Sequence, residues 1–258
     1  MGEVVSYEVV DRVAHVTIER PAKRNAMNIE VFESLARRAK KIADDKSVGA
    51  VVLAGRDVTF SSGIDLAVLA GQAHEGVSQT AIARLQAAFT AYEELDVPTI
   101  AAIEGSCFGA GLQLALACHV RAIAPGSEVA VMEARWGLVP DLGGTWRLPR
   151  LIGLGRATEL VLTARRVGYE EALAIGLAEV ALPADDPQGA AHDHAARLAS
   201  GPAALRRIPR LLRDNYGVDR DTALGAESAA QLVAMAGPDV AEAVTALREG
   251  RDAAYEGR

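Results

Sequence analysis

The chain has little cysteine and no excess of positive charge. Cys107 and Cys118 are the only cysteines among its 258 residues. They lie in apolar segments without Cys-x-x-Cys spacing, which favours reduced, buried thiols in a cytoplasmic protein over a disulfide or a zinc site. The formal net charge of −7 argues against general nucleic-acid binding, because phosphate backbones are held by clustered cations. We therefore expect any anionic ligand to be bound by a local group of cations.

Long hydrophobic runs and several common motifs are also missing. Residues 99–118 are the most membrane-like, but Glu104, Gln113 and three glycines interrupt them. This interruption predicts a buried strand that leads into a buried helix. The sequence contains no Gly-x-x-x-x-Gly-Lys-Ser/Thr loop and no His-Glu-x-x-His pair, so nucleotide hydrolysis and a metal site have no support. We expect no membrane partner, no nucleic-acid partner and no metal.

Apolar segments are plentiful, and their order indicates the fold class. Valine-rich residues 5–20 predict two strands around a turn at Asp11-Arg12. Continuous apolar segments at 50–55, 99–105 and 119–124 alternate with helical patterns, which is typical of parallel strands joined by right-handed crossovers. The sequence therefore predicts an α/β protein.

The character of the chain changes after residue 150, where helical patterns dominate. No linker rich in Gly, Ser or Pro separates this part from the strands before it. We predict a core over residues 1–195 and a C-terminal helical region over residues 196–258 that is continuous with the core.

Two turns that follow apolar strands are rich in small residues, at 60–66 and 105–111. Small residues let a ligand approach the backbone, and free N–H groups at a helix start point outward. Two such turns could supply two N–H donors to one oxygen atom, or their glycines could serve tight packing alone. The second turn reads Gly-x-x-x-Gly-x-Gly, which does not fit a dinucleotide site.

Two carboxylates, Glu133 and Asp141, stand eight positions apart among apolar residues and glycines. Glu133 ends the strand-like segment 128–133, where burial would favour a raised pKa suited to proton transfer. Asp141 comes just before a helix-like segment, so it is either a helix cap or a second acid of the same site. The pair is our first candidate for acid–base chemistry.

These segments together resemble the enoyl-CoA hydratase/isomerase, or crotonase, family. The resemblance rests on ERPAKRNAMN at 19–28, FSSGIDL at 60–66, EGSCFGAGLQLALAC at 104–118 and GLVPDLGGTWRLPRLIG at 137–153. It implies a crotonase-like (ClpP/crotonase) spiral of ββα units with a C-terminal helical trimerisation region. It also implies a homotrimer or a dimer of trimers, and a coenzyme A thioester bound as substrate rather than as a permanent cofactor.

The resemblance also implies a set of site residues. The backbone N–H groups of Ser61 and Ala110 would hold the thioester oxygen. The residues expected to line the coenzyme A groove are Lys23, Arg24, Ala26, Ser62, Gly63, Ile64, Asp65 and Leu66. Lys23 and Arg24 would supply the local positive charge for phosphates, with an ordinary solvated turn as the alternative interpretation of these two residues.

The residue at position 113 decides which reaction the resemblance favours. Family hydratases use two glutamates twenty positions apart, and the matching positions here hold Gln113 and Glu133. An amide can orient water but cannot take up its proton. A single carboxylate can still move a proton between two carbons, so an enoyl-CoA double-bond isomerase is favoured, with Glu133 as acid and base and Asp141 as a second acid. A weak or specialised hydratase and a non-catalytic acyl-CoA binding protein remain as alternatives.

Overall fold

Strands and helices alternate through the first two thirds of the protein, and helices follow. The computed structural model describes residues 3–255, apart from the side chains of residues 72, 73 and 75. The strands are β1 (Val5–Val10), β2 (Val13–Ile18), β3 (Ala50–Gly55), β4 (Thr99–Ile103), β5 (Ser106–Phe108), β6 (Val120–Ile123), β7 (Glu128–Ala130), β8 (Val167–Gly168) and β9 (Val180–Ala181). The helices are α1 (Ile29–Asp44), α2 (Leu66–Glu75), α3 (Gln79–Glu93), α4 (Ala110–Ala117), α5 (Gly144–Ile152), α6 (Leu154–Thr163), α7 (Tyr169–Ala174), α8 (Pro187–Ala199), α9 (Ile208–Asn215), α10 (Arg220–Ala236) and α11 (Asp239–Glu249).

The larger sheet has the strand order β1-β2-β3-β4-β6-β9, in which only the β1–β2 pair is antiparallel. Asp11 and Arg12 both have positive φ, which gives the two-residue turn whose twist matches that of a hairpin. The predicted hairpin and the predicted parallel strands are therefore confirmed. A smaller sheet, β5-β7-β8, lies at the carboxyl ends of β4 and β6.

Both faces of the larger sheet are covered. On one face, α1, α3 and α4 pack over a core that includes Val16, Leu53 and Phe89. On the other face, α8 packs its alanines, such as Ala195, against β2, β3 and β4. Burial on both faces explains why every residue of β3 is apolar or glycine, since no side chain of that strand meets solvent.

Residues 99–118 form β4, β5 and the fully buried α4, as the sequence predicts for a strand that leads into a helix. Within residues 3–255, no helix combines the length and the apolar character needed to cross a membrane.

The predicted strand segment 128–133 ends earlier than expected. Strand β7 stops at Ala130, and Glu133 instead begins a 3₁₀ turn that runs to Trp136. Helix α2 follows the first small-residue turn directly. The predicted domain division at residue 195 falls inside α8, and the outer ends of the two predicted regions, residues 1, 2 and 256–258, lie outside the described residues.

Candidate active site

A cavity of about 830 Å³ opens where the two small-residue turns meet the start of α4. It is lined by every predicted site residue except Ser61: Lys23, Arg24, Ala26, Ser62, Gly63, Ile64, Asp65, Leu66, Ala110, Gln113, Glu133 and Asp141. The structure therefore brings together, in one cavity, residues that span more than a hundred positions of sequence.

Backbone hydrogen bonds hold the turn before α1 against the first small-residue turn. The Met27 N–H donates to Gly63 O at 2.8 Å, and the Asp65 N–H donates to Met27 O at 2.9 Å. The Ser62 N–H donates to Arg24 O at 2.9 Å. These bonds fix two segments of the cavity wall relative to each other before any ligand binds.

The expected role of the Ser61 N–H in holding a thioester oxygen is wrong. This N–H donates to Ser106 O at 3.0 Å, and Ser61 O accepts from Phe108 N at 2.9 Å. Ser61 is fully buried, and its hydroxyl donates to Asn25 O. Since its backbone is used to join the two turns, Ser61 has no donor left for a ligand.

The donor that the first turn leaves free is the N–H of Ile64. Gly63 O and Asp65 N both face Met27, so in this extended segment the Ile64 N–H points to the opposite side. No hydrogen bond to it occurs within residues 3–255, and Ala110 at the start of α4 also has an unpaired N–H there. The two turns lie close together: a Cβ atom built on Gly63 would be only 3.7 Å from Ala110 N.

Gln113 lies in the first turn of α4 with all its polar atoms bonded. Its Oε1 accepts from Leu142 N and Gly144 N, both at 2.9 Å. Its Nε2 donates to Glu133 Oε1 at 2.6 Å. With the carbonyl oxygen held by two backbone donors, the side-chain amide must direct its NH₂ group at the Glu133 carboxylate.

Glu133 is only 8% exposed, and its second oxygen, Oε2, is buried without a hydrogen-bond partner in the described part of the chain. Burial raises the pKa of Glu133, and the nearby charge of Asp141 acts in the same direction, while the hydrogen bond from Gln113 opposes them. A Cβ added to Gly109 would lie 3.4 Å from Glu133 Oε1, so the glycine before α4 leaves space for the carboxylate. The result is a carboxylate with one oxygen anchored and the other free.

Asp141 faces the same cavity and is half-buried, which raises its pKa. Helix α5 has Gly143 at its N-cap and no side-chain cap, so the interpretation of Asp141 as a helix cap is wrong. The segment is held through the backbone instead, because Gln86 Nε2 donates to Asp141 O at 2.6 Å. The carboxylate of Asp141 is thus available to the cavity.

The mouth of the cavity carries positive charge. Lys23 and Arg24 are both exposed there, and Arg24 has the left-handed backbone conformation of a tight turn. Asp65 also lines the cavity, but its carboxylate accepts from the Ala67 N–H at the start of α2 and pairs with Arg20 at 2.9 Å. These two bonds lower the pKa of Asp65, and its charge is compensated within the protein.

His119 stands outside the cavity and has a structural role. Its Nδ1 accepts from the Thr99 N–H at 3.1 Å, which makes Nε2 the protonated nitrogen, and that nitrogen donates to Glu93 O. Burial lowers the pKa of His119. The imidazole therefore joins the start of β4 to the end of α3 as a neutral group.

Sequence reasoning missed the apolar wall of the cavity. It is formed by Leu69, Val77, Ile82, Leu85, Met132, Trp136, Leu138, Val139 and Leu142. Trp136 and Val139 are 57% and 71% exposed. The available signal in the sequence was the Trp-Gly-Leu-Val segment at 136–139, which lies between the two candidate acids, because apolar clusters on a protein surface commonly mark ligand sites. In the described residues, no group of three or more His, Cys, Asp or Glu side chains could hold a metal.

Comparisons with known proteins identify the family of the chain. Residues 8–258 match the family enoyl-CoA hydratase/isomerase. The Bacillus subtilis protein YngF, named for the same family, is 34% identical over 260 aligned positions that cover the whole of both chains. The match includes every segment that lines the cavity.

Solved structures confirm the crotonase-like fold. The crystal structure of an enoyl-CoA hydratase from Bacillus anthracis superposes with a TM-score of 0.92 at 30% identity, covering 99% of this chain and all of that one. A Thermobifida fusca protein described as an enoyl-CoA hydratase was crystallised with acetoacetyl-CoA, and it superposes with a TM-score of 0.82 at 35% identity over 91% of this chain and 95% of that one. The protein described here belongs to the enoyl-CoA hydratase/isomerase family of crotonase-fold enzymes.

Proposed function

We propose that this protein is an enoyl-CoA double-bond isomerase that converts 3-enoyl-CoA to 2-enoyl-CoA, or 3,5-dienoyl-CoA to 2,4-dienoyl-CoA. The observation that carries the proposal is the environment of Glu133, which has one oxygen anchored by Gln113 and the other buried and free. A neutral amide stands where a hydratase of this family would need its second carboxylate.

The reaction needs one base to remove a proton and one group of donors to stabilise the negative charge of the enolate that forms. Glu133 Oε2 removes a proton from C2 of the bound thioester, and the electrons of that C–H bond form an enolate. The N–H groups of Ile64 and Ala110 donate to the thioester oxygen and stabilise its charge, as paired backbone donors do in acyl-transfer enzymes. The proton then returns at C4, and the double bond has moved from C3–C4 to C2–C3.

A 3,5-dienoyl substrate must receive its new proton at a carbon farther along the acyl chain. When a 3,5-dienoyl thioester loses its C2 proton, the new proton must arrive at C6 to give the 2,4-diene. Asp141 faces the cavity with a raised pKa, so it holds a proton more readily than an exposed aspartate. We assign it as the acid for that substrate, with Glu133 as the base.

Hydration of a 2-enoyl-CoA is the second candidate, because the solved relatives are named hydratases. Under this hypothesis Asp141 would share the work of activating water with Glu133. Gln113 could not take up a proton from water, because its carbonyl oxygen already accepts two hydrogen bonds and an amide is not a base; its second Nε2–H could only orient the water.

Acyl-CoA binding is supported by the family and by the cations at the cavity mouth. We infer that Lys23 and Arg24 bind coenzyme A phosphates, and that Ala26 and residues 62–66 line the groove for the rest of that group. We also propose assembly into a homotrimer or a dimer of trimers through the C-terminal helices. Large apolar residues are exposed on them, namely Leu212, Leu224, Leu232, Val233, Met235 and Leu247. Light scattering coupled to gel filtration tests the assembly.

One assay separates the candidate functions. Purified protein is incubated in turn with a 3-enoyl-CoA, a 3,5-dienoyl-CoA and a 2-enoyl-CoA, and conjugation is followed by ultraviolet absorbance. We expect turnover of one or both of the first two. Turnover of the 2-enoyl thioester alone would establish a hydratase, and tight binding without any turnover would indicate an acyl-CoA binding protein.

A further inference from the structure

The charges of the cavity are unevenly distributed. Among the described residues that line it, Lys23 and Arg24 are the cations, and both lie on the turn before α1. Glu133 and Asp141 are acids whose pKa values burial raises. The cavity is therefore cationic at its mouth, and its two carboxylates of raised pKa lie at the reaction centre without a lining cation beside them.

The cavity that holds Glu133 and Asp141 also has an aliphatic and aromatic wall. Helix α3 contributes Ile82 and Leu85, and the segment after Glu133 contributes Trp136 and Val139. The hydrogen bond from Gln86 to Asp141 O holds α3 against the segment that carries Asp141. An acyl chain that runs along this wall is thus close to the carboxylate of Asp141 and has no basic side chain to meet.

We propose that the acyl group of the substrate is uncharged and aliphatic, and that the protein rejects acyl-CoA thioesters with a carboxylate at the far end of the chain. This inference rests on the proposed function and narrows its substrate class. A terminal carboxylate would lose its hydration against the apolar wall, and it would add a negative charge beside Glu133 and Asp141 without a cation to compensate it. A terminal methyl group gains from the same wall.

Two thioesters of equal chain length test the inference. The 3-hexenoyl-CoA and the mono-CoA thioester of 3-hexenedioic acid differ only in whether the sixth carbon is a methyl or a carboxylate. We expect kcat/KM to be at least about tenfold lower for the diacid, because its carboxylate loses part of its hydration against the apolar wall and gains no cation. Equal kcat/KM values for the two thioesters would overturn the proposal.

A substitution in the wall tests whether charge is the cause. Val139→Arg places a cation in the wall at a position 71% exposed, and Val139→Gln is the neutral control of similar length. We expect V139R, and not V139Q, to narrow the kcat/KM ratio between the two thioesters by about 2- to 10-fold, the size of an exposed charge interaction. A ratio that is the same in both variants would contradict an electrostatic basis.

The saturated pair keeps this test separate from the proposed reaction. Hexanoyl-CoA and the mono-CoA thioester of hexanedioic acid cannot be isomerised, and their dissociation constants are measured by calorimetry. If neither unsaturated thioester turns over, the isomerase proposal fails, while a preference for hexanoyl-CoA still supports the substrate class. Equal affinities of the saturated pair would reject the substrate class even in an active isomerase.

Discussion

The Gln113 amide donates to Glu133 Oε1 at 2.6 Å, while its carbonyl oxygen accepts from Leu142 and Gly144. One neutral side chain thus ties the carboxylate of Glu133 to the segment that follows Asp141. It leaves Glu133 Oε2 as the oxygen without a partner in residues 3–255. Several expected outcomes depend on this arrangement.

Replacement of the proposed base, Glu133, should abolish most of the catalysis and leave the affinity for acyl-CoA unchanged. Glu133→Gln keeps the size of the side chain and takes away its ability to accept a proton. We expect kcat for isomerisation to fall by about 10²- to 10⁴-fold, the usual contribution of a positioned general base. The dissociation constant of a saturated acyl-CoA, measured by calorimetry, should stay within about threefold, because E133Q changes no group that binds the coenzyme. Glu128→Gln, at a partly buried acid on β7 that pairs with Arg166 outside the cavity, is the matched control, and retained activity in E133Q would show that the base is another residue.

Conversion of the amide to an acid should change the reaction. In Gln113→Glu the two N–H donors of Leu142 and Gly144 keep an acceptor, while the other oxygen faces Glu133 Oε1 where the amide now donates at 2.6 Å. Two carboxylates at that distance share one proton. We expect hydration of a 2-enoyl-CoA to rise by about tenfold or more in Q113E, measured by loss of absorbance from the conjugated thioester.

Gln113→Met separates this gain from a loss of positioning. Methionine fills a similar volume but leaves the N–H groups of Leu142 and Gly144 without an acceptor, which costs about 1–3 kcal/mol for each buried donor. Both reactions should therefore decline in Q113M. If Q113E gained no hydratase activity, a second carboxylate at this position would not be what the reaction lacks.

The fold and most of the cavity could be predicted because the signals are local. The hairpin depends on two residues, Asp11 and Arg12, that accept positive φ. The direction of Gln113 follows from helical geometry, since three positions after Ala110 is about one turn of α4. The residues predicted to bind acyl-CoA lie in short continuous segments, so residues that are adjacent in sequence are also adjacent in the cavity wall.

The donor in the first turn could not be predicted, because adjacent N–H groups of an extended segment point in opposite directions. The sequence does not show which backbone N–H between Ser61 and Asp65 is left without a partner. Only the hydrogen bonds that this segment makes to Ser106 and Met27 determine which N–H remains free. The apolar wall was missed for a related reason, since it comes from three separate segments. The trimer and the cytoplasmic location stay predictions.

Removal of a single backbone donor tests the correction from Ser61 to Ile64. An amide-to-ester replacement at position 64 deletes that N–H and changes little else in shape. We expect kcat/KM to fall by about 10²- to 10³-fold, as when one donor to a developing oxyanion is lost. The same replacement at position 61 breaks the bond to Ser106 O, so it should lower the thermal midpoint and affect kcat less. The reverse pattern would restore Ser61 as the donor.

Neutralisation of the cations at the mouth should weaken binding of the coenzyme part only. Lys23→Ala and Arg24→Ala should each raise KM for an acyl-CoA by about 2- to 10-fold, the size of an exposed charge interaction, and less so at high salt. The matching N-acetylcysteamine thioester lacks the phosphates, so its KM should be the same in wild type and both variants. An equal increase for both thioesters would mean that the turn acts by shaping the cavity.

Acid should destabilise the fold partly through His119. Its folded-state pKa is lowered by burial, and a proton on Nδ1 would face the Thr99 N–H donor at 3.1 Å. Above the unfolded pKa of about 6.5 the neutral imidazole is stable in both states. As the pH falls below that value, the unfolded chain takes up a proton that the folded chain does not, and the free energy of unfolding decreases until the lowered pKa is reached.

His119→Asn keeps an acceptor near the Thr99 N–H but cannot be protonated. Urea unfolding between pH 5 and pH 8 should show a shallower loss of stability at low pH in H119N than in the wild type, and His74→Asn, at an exposed position on α2, controls for the removal of a histidine. His15 and His194, whose pKa values are also lowered, remain in every variant and account for the slope that H119N retains. Identical pH dependence in the wild type and H119N would show that His119 takes up its proton without cost in the folded state.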